Sequence, residues 1–133
     1  MSNFHRSKSL PRVLVAGNDD VSQAISKVHQ NGEACETHTA RDGVGAMHTL
    51  LGSAFDLVII DLAMARLDGL RLIALIRATP ALKNLPVLAI ASPQQPASSL
   101  DGICAGADDY LARPLEWPLL AMRIRQLTGS VQS

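Results

Sequence analysis

Phe55-Asp56-Leu57-Val58-Ile59-Ile60-Asp61-Leu62-Ala63-Met64-Ala65-Arg66-Leu67-Asp68-Gly69 is the stretch whose reading decides the fold. Leu57 to Ile60 is an unbroken apolar run, rich in β-branched residues and closed at each end by an aspartate. A run this short, apolar on both alternating faces, suits a strand buried on both sides better than a helix. Asp61 then stands at the carboxyl end of that strand, where open α/β sheets place their reactive groups. Asp68-Gly69 reads as a turn into an amphipathic helix. An aspartate after a strand also has a plainer use as a helix cap or turn former, so Asp61 acquires meaning only from what gathers around it.

Working outward toward the N-terminus, Val13-Leu14-Val15-Ala16 is a second apolar run and the first strand, followed by the polar loop Gly17-Asn18-Asp19-Asp20. Val21, Ala24, Ile25 and Val28 recur at helical spacing until Asn31-Gly32 ends the helix. Ala34 to Thr39 is a weaker strand with the polar alternation of a sheet edge. Arg41-Asp42-Gly43 leads into a helix with Val44, Met47, Leu50 and Leu51 as its apolar residues.

Toward the C-terminus, Leu70, Leu72, Ile73, Leu75 and Ile76 give a strongly apolar helix face with Arg71 and Arg77 outside, and Thr79-Pro80 breaks it. Val87 to Ala91 is the fourth strand. Leu100, Ile103 and Cys104 mark a short helix ending at Gly106, and Asp108 to Ala112 is the fifth strand. Pro114 is placed to start a last helix whose inward face is Leu119, Leu120, Met122, Ile124 and Leu127. Strands and helices alternate with short links throughout. The expected fold is therefore α/β, a flavodoxin-like (βα)5 doubly wound five-stranded parallel sheet with strand order 2-1-3-4-5. One domain over residues 11–128, with short tails at 1–10 and 129–133, accounts for the chain.

Composition narrows the function. With 12 basic and 12 acidic residues the formal charge is zero, so no global field draws the chain directly to nucleic acid or an anionic membrane. No apolar run approaches the roughly 20 residues that span a bilayer, and the polar, basic start lacks the core of a signal peptide. Two isolated cysteines at 35 and 104 fit reduced thiols in a cytoplasm. The histidines are scattered, and neither a Ser-His-Asp set nor a Gly-Lys-Ser/Thr phosphate loop occurs. Aromatic residues at 3% leave few groups to stack on a flavin, which disfavours a small flavodoxin-like enzyme or ligand-binding protein.

In a parallel sheet the residues just past each strand meet at one edge. Here they are Gly17-Asn18-Asp19-Asp20, Asp61, Ala91-Ser92 and Arg113, a set able to hold a divalent cation or a phosphoryl group.

On Pro11-Arg12-Val13-Leu14-Val15, Asp56-Leu57-Val58-Ile59-Ile60-Asp61 with Met64 and Asp68-Gly69, Leu85-Pro86-Val87, and Ala105-Gly106-Ala107-Asp108-Asp109-Tyr110-Leu111 with Pro114, the chain resembles the receiver domain of bacterial two-component response regulators. The resemblance runs from Pro11 to Leu127. It implies a phosphoacceptor signalling domain rather than a conventional enzyme, with Asp61 taking a phosphoryl group from a histidine kinase or phosphotransfer protein.

It also implies Mg2+ held by acids after the first strand and by the backbone carbonyl two residues past the acceptor, which is that of Ala63. Departures from the family pattern are as informative. The two acids usual after the first strand map to Gly17 and Asn18, with Asp19 and Asp20 able to substitute if the loop shifts. The expected ligand set is Asn18, Asp19, Asp61 and Ala63, and the Mg2+ affinity is expected to be weak. The family's Ser or Thr after the fourth strand maps to Ala91, with Ser92 adjacent. Its Lys maps to Arg113, which keeps the charge on a bulkier, forked group. Tyr110 matches the aromatic switch position, and Ala65 takes a place that is often Pro. Output would pass through the face made by the fourth helix, fifth strand and last helix, to a partner or a second copy. The alternative is a phosphorylation-independent pseudo-receiver that uses the same face as an interaction module.

Overall fold

A computed structural model of the chain describes residues 10–17, 19–32, 35–64, 68–92, 101, 103 and 105–129. The expectations for Asn18, Ala65, Leu100, Cys104 and most of both tails lie outside the described residues. In chain order the elements are β1 (Arg12–Ala16), α1 (Asp19–Gln30), β2 (Glu36–Ala40), α2 (Gly43–Gly52), β3 (Leu57–Asp61), α3 (Gly69–Ala78), β4 (Val87–Ile90), β5 (Asp109–Leu111) and α4 (Trp117–Thr128). Between β4 and β5, Asp101, Ile103 and Ala105 are helical, within the short helix expected there. The strands pair parallel in the order β2-β1-β3-β4-β5, as expected.

Side-chain alternation along β3 builds two separate cores. Leu57 and Ile59 point to one side, with Val13, Val15, Leu88, Ile90 and Leu111, and meet Val21, Ala24, Ile25 and Val28 of α1 and Leu120, Ala121 and Ile124 of α4. Val58 and Ile60 point to the other, with Leu14, Ala16, Val87 and Ala89, and meet Ala46 and Leu50 of α2 and Leu72, Ile73 and Ile76 of α3. All five residues of β3 are buried, which is why its sequence carries no polar alternation. Each fully buried Leu or Ile contributes about 1.5–3 kcal/mol relative to exposure.

The helices start and stop for local reasons. The Asp42 carboxylate accepts from Gly45 N at 2.8 Å and caps α2, and Asp68 accepts from Arg71 N at 2.9 Å and caps α3. Gly32 takes a φ of 88° just past α1, a conformation that glycine alone adopts without strain.

Four features differ from the sequence expectation. Val44 and Leu51 of α2 are exposed, because Gly43, Ala46 and Leu50 form the inward stripe. The small Gly43 and Ala46 line the sheet-facing side and leave the two larger apolar residues outside it. Leu75 of α3 and Leu119 and Met122 of α4 are exposed for the same geometric reason: each lies off the stripe set by Leu72-Ile73-Ile76 or by Leu120-Ala121-Ile124. Pro114 does not start the last helix. The Arg113–Pro114 bond is cis, Glu116 is the N-cap, and Pro118 is the proline of the first turn. Arg77, expected outside, instead ties α3 to the far strands. Its guanidinium donates to Gly106 O at 2.9 Å, Leu85 O at 2.6 Å and the Asp108 carboxylate at 2.8 Å.

Candidate functional site

Asp61 ends β3 with no exposed surface, the one fully buried carboxylate among the described residues. Backbone pairing fixes its place: Asp61 lies opposite Ile90 in β4, and Leu62 N donates to Ile90 O at 2.9 Å. The chain then turns tightly. Met64 N donates to Asp61 O at 3.1 Å, and Ala63 N donates to the Asp61 carboxylate, Oδ1, at 2.9 Å. The contact seen at Ala63 is thus made by its amide, whereas the expectation concerned its carbonyl.

Arg113 reaches Asp61 from the loop after β5. Its Nη2 donates to Asp61 Oδ2 at 2.7 Å and its Nη1 to Asp61 Oδ1 at 3.3 Å, a two-pronged grip on one carboxylate. The same guanidinium holds Asp20 in the first turn of α1, Nε to Oδ2 at 2.7 Å and Nη2 to Oδ1 at 3.1 Å. Nη1 also donates to the carbonyl of Ala91, just past β4. One planar cation therefore ties together the ends of β3, β4 and β5 and the start of α1. The Arg113 side chain is only 12% exposed, Asp61 is wholly buried, and Asp20 is about half exposed at 49%.

Electrostatics follow the geometry. The Arg113 fork holds the Asp20 carboxyl below its ordinary range, against a smaller opposing effect of burial. Arg113 is held above its own ordinary value, first by its hydrogen bonds to Asp20 and then, after an opposing desolvation, by Asp61. The guanidinium stays charged at any working pH.

Gly17, where the resemblance implies an acid, lies against Asp61. A Cβ built on it would come within 2.7 Å of Asp61 Cβ, closer than real contacts allow. A side chain here would require the loop or Asp61 to shift. A Cβ built on Gly69 would likewise come within 2.9 Å of Asp61 O.

The structure thus brings Asp61, Arg113, Ala91 and Ala63 into one hydrogen-bonded group and adds Asp20. The sequence places Asp20 among the strand-end groups and as a substitute ligand, and opposite charges at two strand ends are a signal for the pair it forms with Arg113. Asp19 is exposed at the start of α1. Ser92 is buried next to Ala91, and Tyr110 stands on the edge strand β5 with 41% of its surface exposed. A resident divalent ion does not fit this arrangement. Both carboxylates that would bridge it face one guanidinium, Gly17 has no ligand and no room for one, and among the described residues no three His, Cys, Asp or Glu side chains gather. No helix among the described residues is long and apolar enough to cross a membrane.

Comparison with known proteins agrees with the geometry. Residues 13–125 match the family described as Response regulator receiver domain. The chain is 31% identical over 116 residues to Response regulator MprA of Mycobacterium sp. strain KMS, covering 87% of this chain and 50% of that protein, so it spans half the length of that relative. The Francisella response regulator 1452 receiver domain superposes with a TM-score of 0.76 at 29% identity, covering 92% of this chain and 99% of that one. The receiver domain of a sensor histidine kinase from Pseudomonas aeruginosa, solved with magnesium coordinated in its active-site cleft, gives a TM-score of 0.78 at 21% identity, over 91% and 99% of the two chains.

Proposed function

The chain belongs to the response regulator receiver domain family of two-component signalling, and from that premise we propose that it accepts a phosphoryl group on Asp61 from the phosphohistidine of a histidine kinase or phosphotransfer protein. The observation that carries this reading is a buried strand-end carboxylate gripped by a guanidinium. A carboxylate oxygen of Asp61 attacks phosphorus in line. The new P–O bond forms as the P–N bond to the donor imidazole breaks, and the imidazole leaves with that electron pair. Arg113 supplies positive charge and forked donors for the equatorial oxygens, turning from the carboxylate to the phosphoryl group it has become. Ala91 contributes a carbonyl that orients Arg113, and has no hydroxyl to grip phosphate. Magnesium is at most a weak ligand here. Residues 11–128 are the receiver unit, working in the cytoplasm. Output passes through Ser92 and Tyr110 to the face of the short helix before β5, β5 itself and α4, toward a partner or a second copy of this chain.

Intact mass after incubation with a small phosphodonor, with and without magnesium, tests the proposal. A gain of one phosphoryl group that disappears in Asp61→Asn is expected. No Asp61-dependent gain under any condition rejects it.

One observation favours a second reading, a pseudo-receiver that binds partners without phosphate. Both oxygens of Asp61 are already engaged by Arg113, as a structural pair would be. Partner binding indifferent to Asp61→Asn and Asp61→Glu supports that reading, and loss of binding in both variants argues for phosphoacceptance.

A further inference from the structure

We propose that Arg113 is the resident cation of this site: its guanidinium bridges the carboxylates of Asp20 and Asp61 and keeps the notch neutralised without a divalent metal. The inference rests on reading Asp61 and its surroundings as the functional site, and it concerns how that site is charged.

Four observations carry it. A fully buried carboxylate needs a compensating charge, and Arg113 supplies one in direct contact at 2.7 Å. Asp20, on a different element, turns to the same group at 2.7 Å. The guanidinium is anchored on its third side by the Ala91 carbonyl, so its position between the acids is set by the backbone as well as by charge. Gly17 offers no ligand on the loop, and on this backbone a Cβ there would lie 2.7 Å from Asp61 Cβ. A lysine at position 113 would present a point charge, whereas the planar fork reaches two carboxylates and a carbonyl at once. At this site position 17 carries no acid, and the wide planar cation at 113 spans Asp20 and Asp61.

The consequence is competition. A divalent ion can bridge Asp20 and Asp61 only after Arg113 swings away, so its apparent affinity is reduced by the fraction of time the fork is open. Removing the guanidinium should release that penalty, a gain of at least about tenfold in metal affinity.

The experiment is a Mn2+ titration of the full chain, read by paramagnetic broadening of the Asp20 and Ala63 amide signals. Wild type, Arg113→Ala, Arg113→Gln and Asp61→Asn/Arg113→Ala are compared. The expected result is tighter binding in both single variants than in wild type, lost again in the double variant. Equal or tighter binding by wild type overturns the proposal, and so does an absence of binding in every protein. Should neither single variant fold, the thermal midpoint of wild type in MgCl2 is compared with that in NaCl of equal ionic strength. Coincident midpoints are expected, and a specific rise with magnesium overturns the proposal. The readout involves no phosphorylation, so a failure of Asp61 to take phosphate leaves this result standing, and the reverse also holds.

Discussion

Removing Arg113 should cost the folded state more than any exposed ion pair could. Asp61 has no exposed surface, and its carboxylate accepts from Arg113 Nη2 at 2.7 Å, Arg113 Nη1 at 3.3 Å and Ala63 N at 2.9 Å. Arg113→Ala removes the two guanidinium donors and strips a compensating charge from a buried carboxylate. Breaking a buried pair from one side typically costs about 3–5 kcal/mol. The lower end applies, because the Arg113 side chain is 12% exposed and water can reach part of the space it vacates. A loss of about 3 kcal/mol corresponds to a fall of about 10 °C in thermal midpoint for a chain of this size. Asp61→Asn in the same background removes the stranded charge and should recover about 2 kcal/mol, so a double-mutant cycle shows strong coupling. Urea denaturation of the four proteins near neutral pH gives all the terms. A loss below about 1 kcal/mol in Arg113→Ala, or additivity within about 0.5 kcal/mol, refutes the account of Asp61 as a charge held by its partner.

Two further outcomes follow from the same geometry. The folded-state value of Asp20 is lowered from 3.8 by Arg113, so its contribution is present above that pH and lost as pH falls through the lowered value. With Asp20 about half exposed the effect stays below about 1 kcal/mol, and the gap in urea midpoint between wild type and Asp20→Asn should close on acidification below pH 3.8; a gap constant with pH contradicts this. Gly17→Ala should destabilise by about 1–3 kcal/mol, since its Cβ would lie 2.7 Å from Asp61 Cβ, and unchanged stability would show that the loop relaxes freely.

The fold was legible because β3 and its neighbours carry unmistakable patterns. Leu57 to Ile60 admits no amphipathic reading, and Val21-Ala24-Ile25-Val28 spells one helix face. Sequence was least informative where apolar residues outnumber the inward positions. Val44, Leu51, Leu75, Leu119 and Met122 all satisfy a helical pattern loosely, and only packing decides which stripe is turned inward. At the site, strand-end logic singled out Asp61 and Arg113 but not that they grip each other, nor that Asp20 rather than Asp19 joins them. Which of two adjacent acids meets a distant cation depends on helix phase, settled here by where α1 begins. The role of Gly17 was hidden for a related reason: a missing side chain reads as a lost ligand until the proximity of Asp61 Cβ is known. Arg77 reads as a solvent-facing charge, and its acceptors lie in the loops before β4 and β5, at Lys83, Leu85, Gly106 and Asp108.

The pleated sheet acts as a bulkhead between two apolar compartments. A void opened at Ile59 is felt by α1 and α4, and one opened a single peptide away, at Ile60, by α2 and α3. By the same alternation Asp61 falls on the side of Leu57 and Ile59. A change of charge or volume at Asp61 thus presses first on the compartment closed by α1 and α4, and reaches the one closed by α2 and α3 only through the sheet.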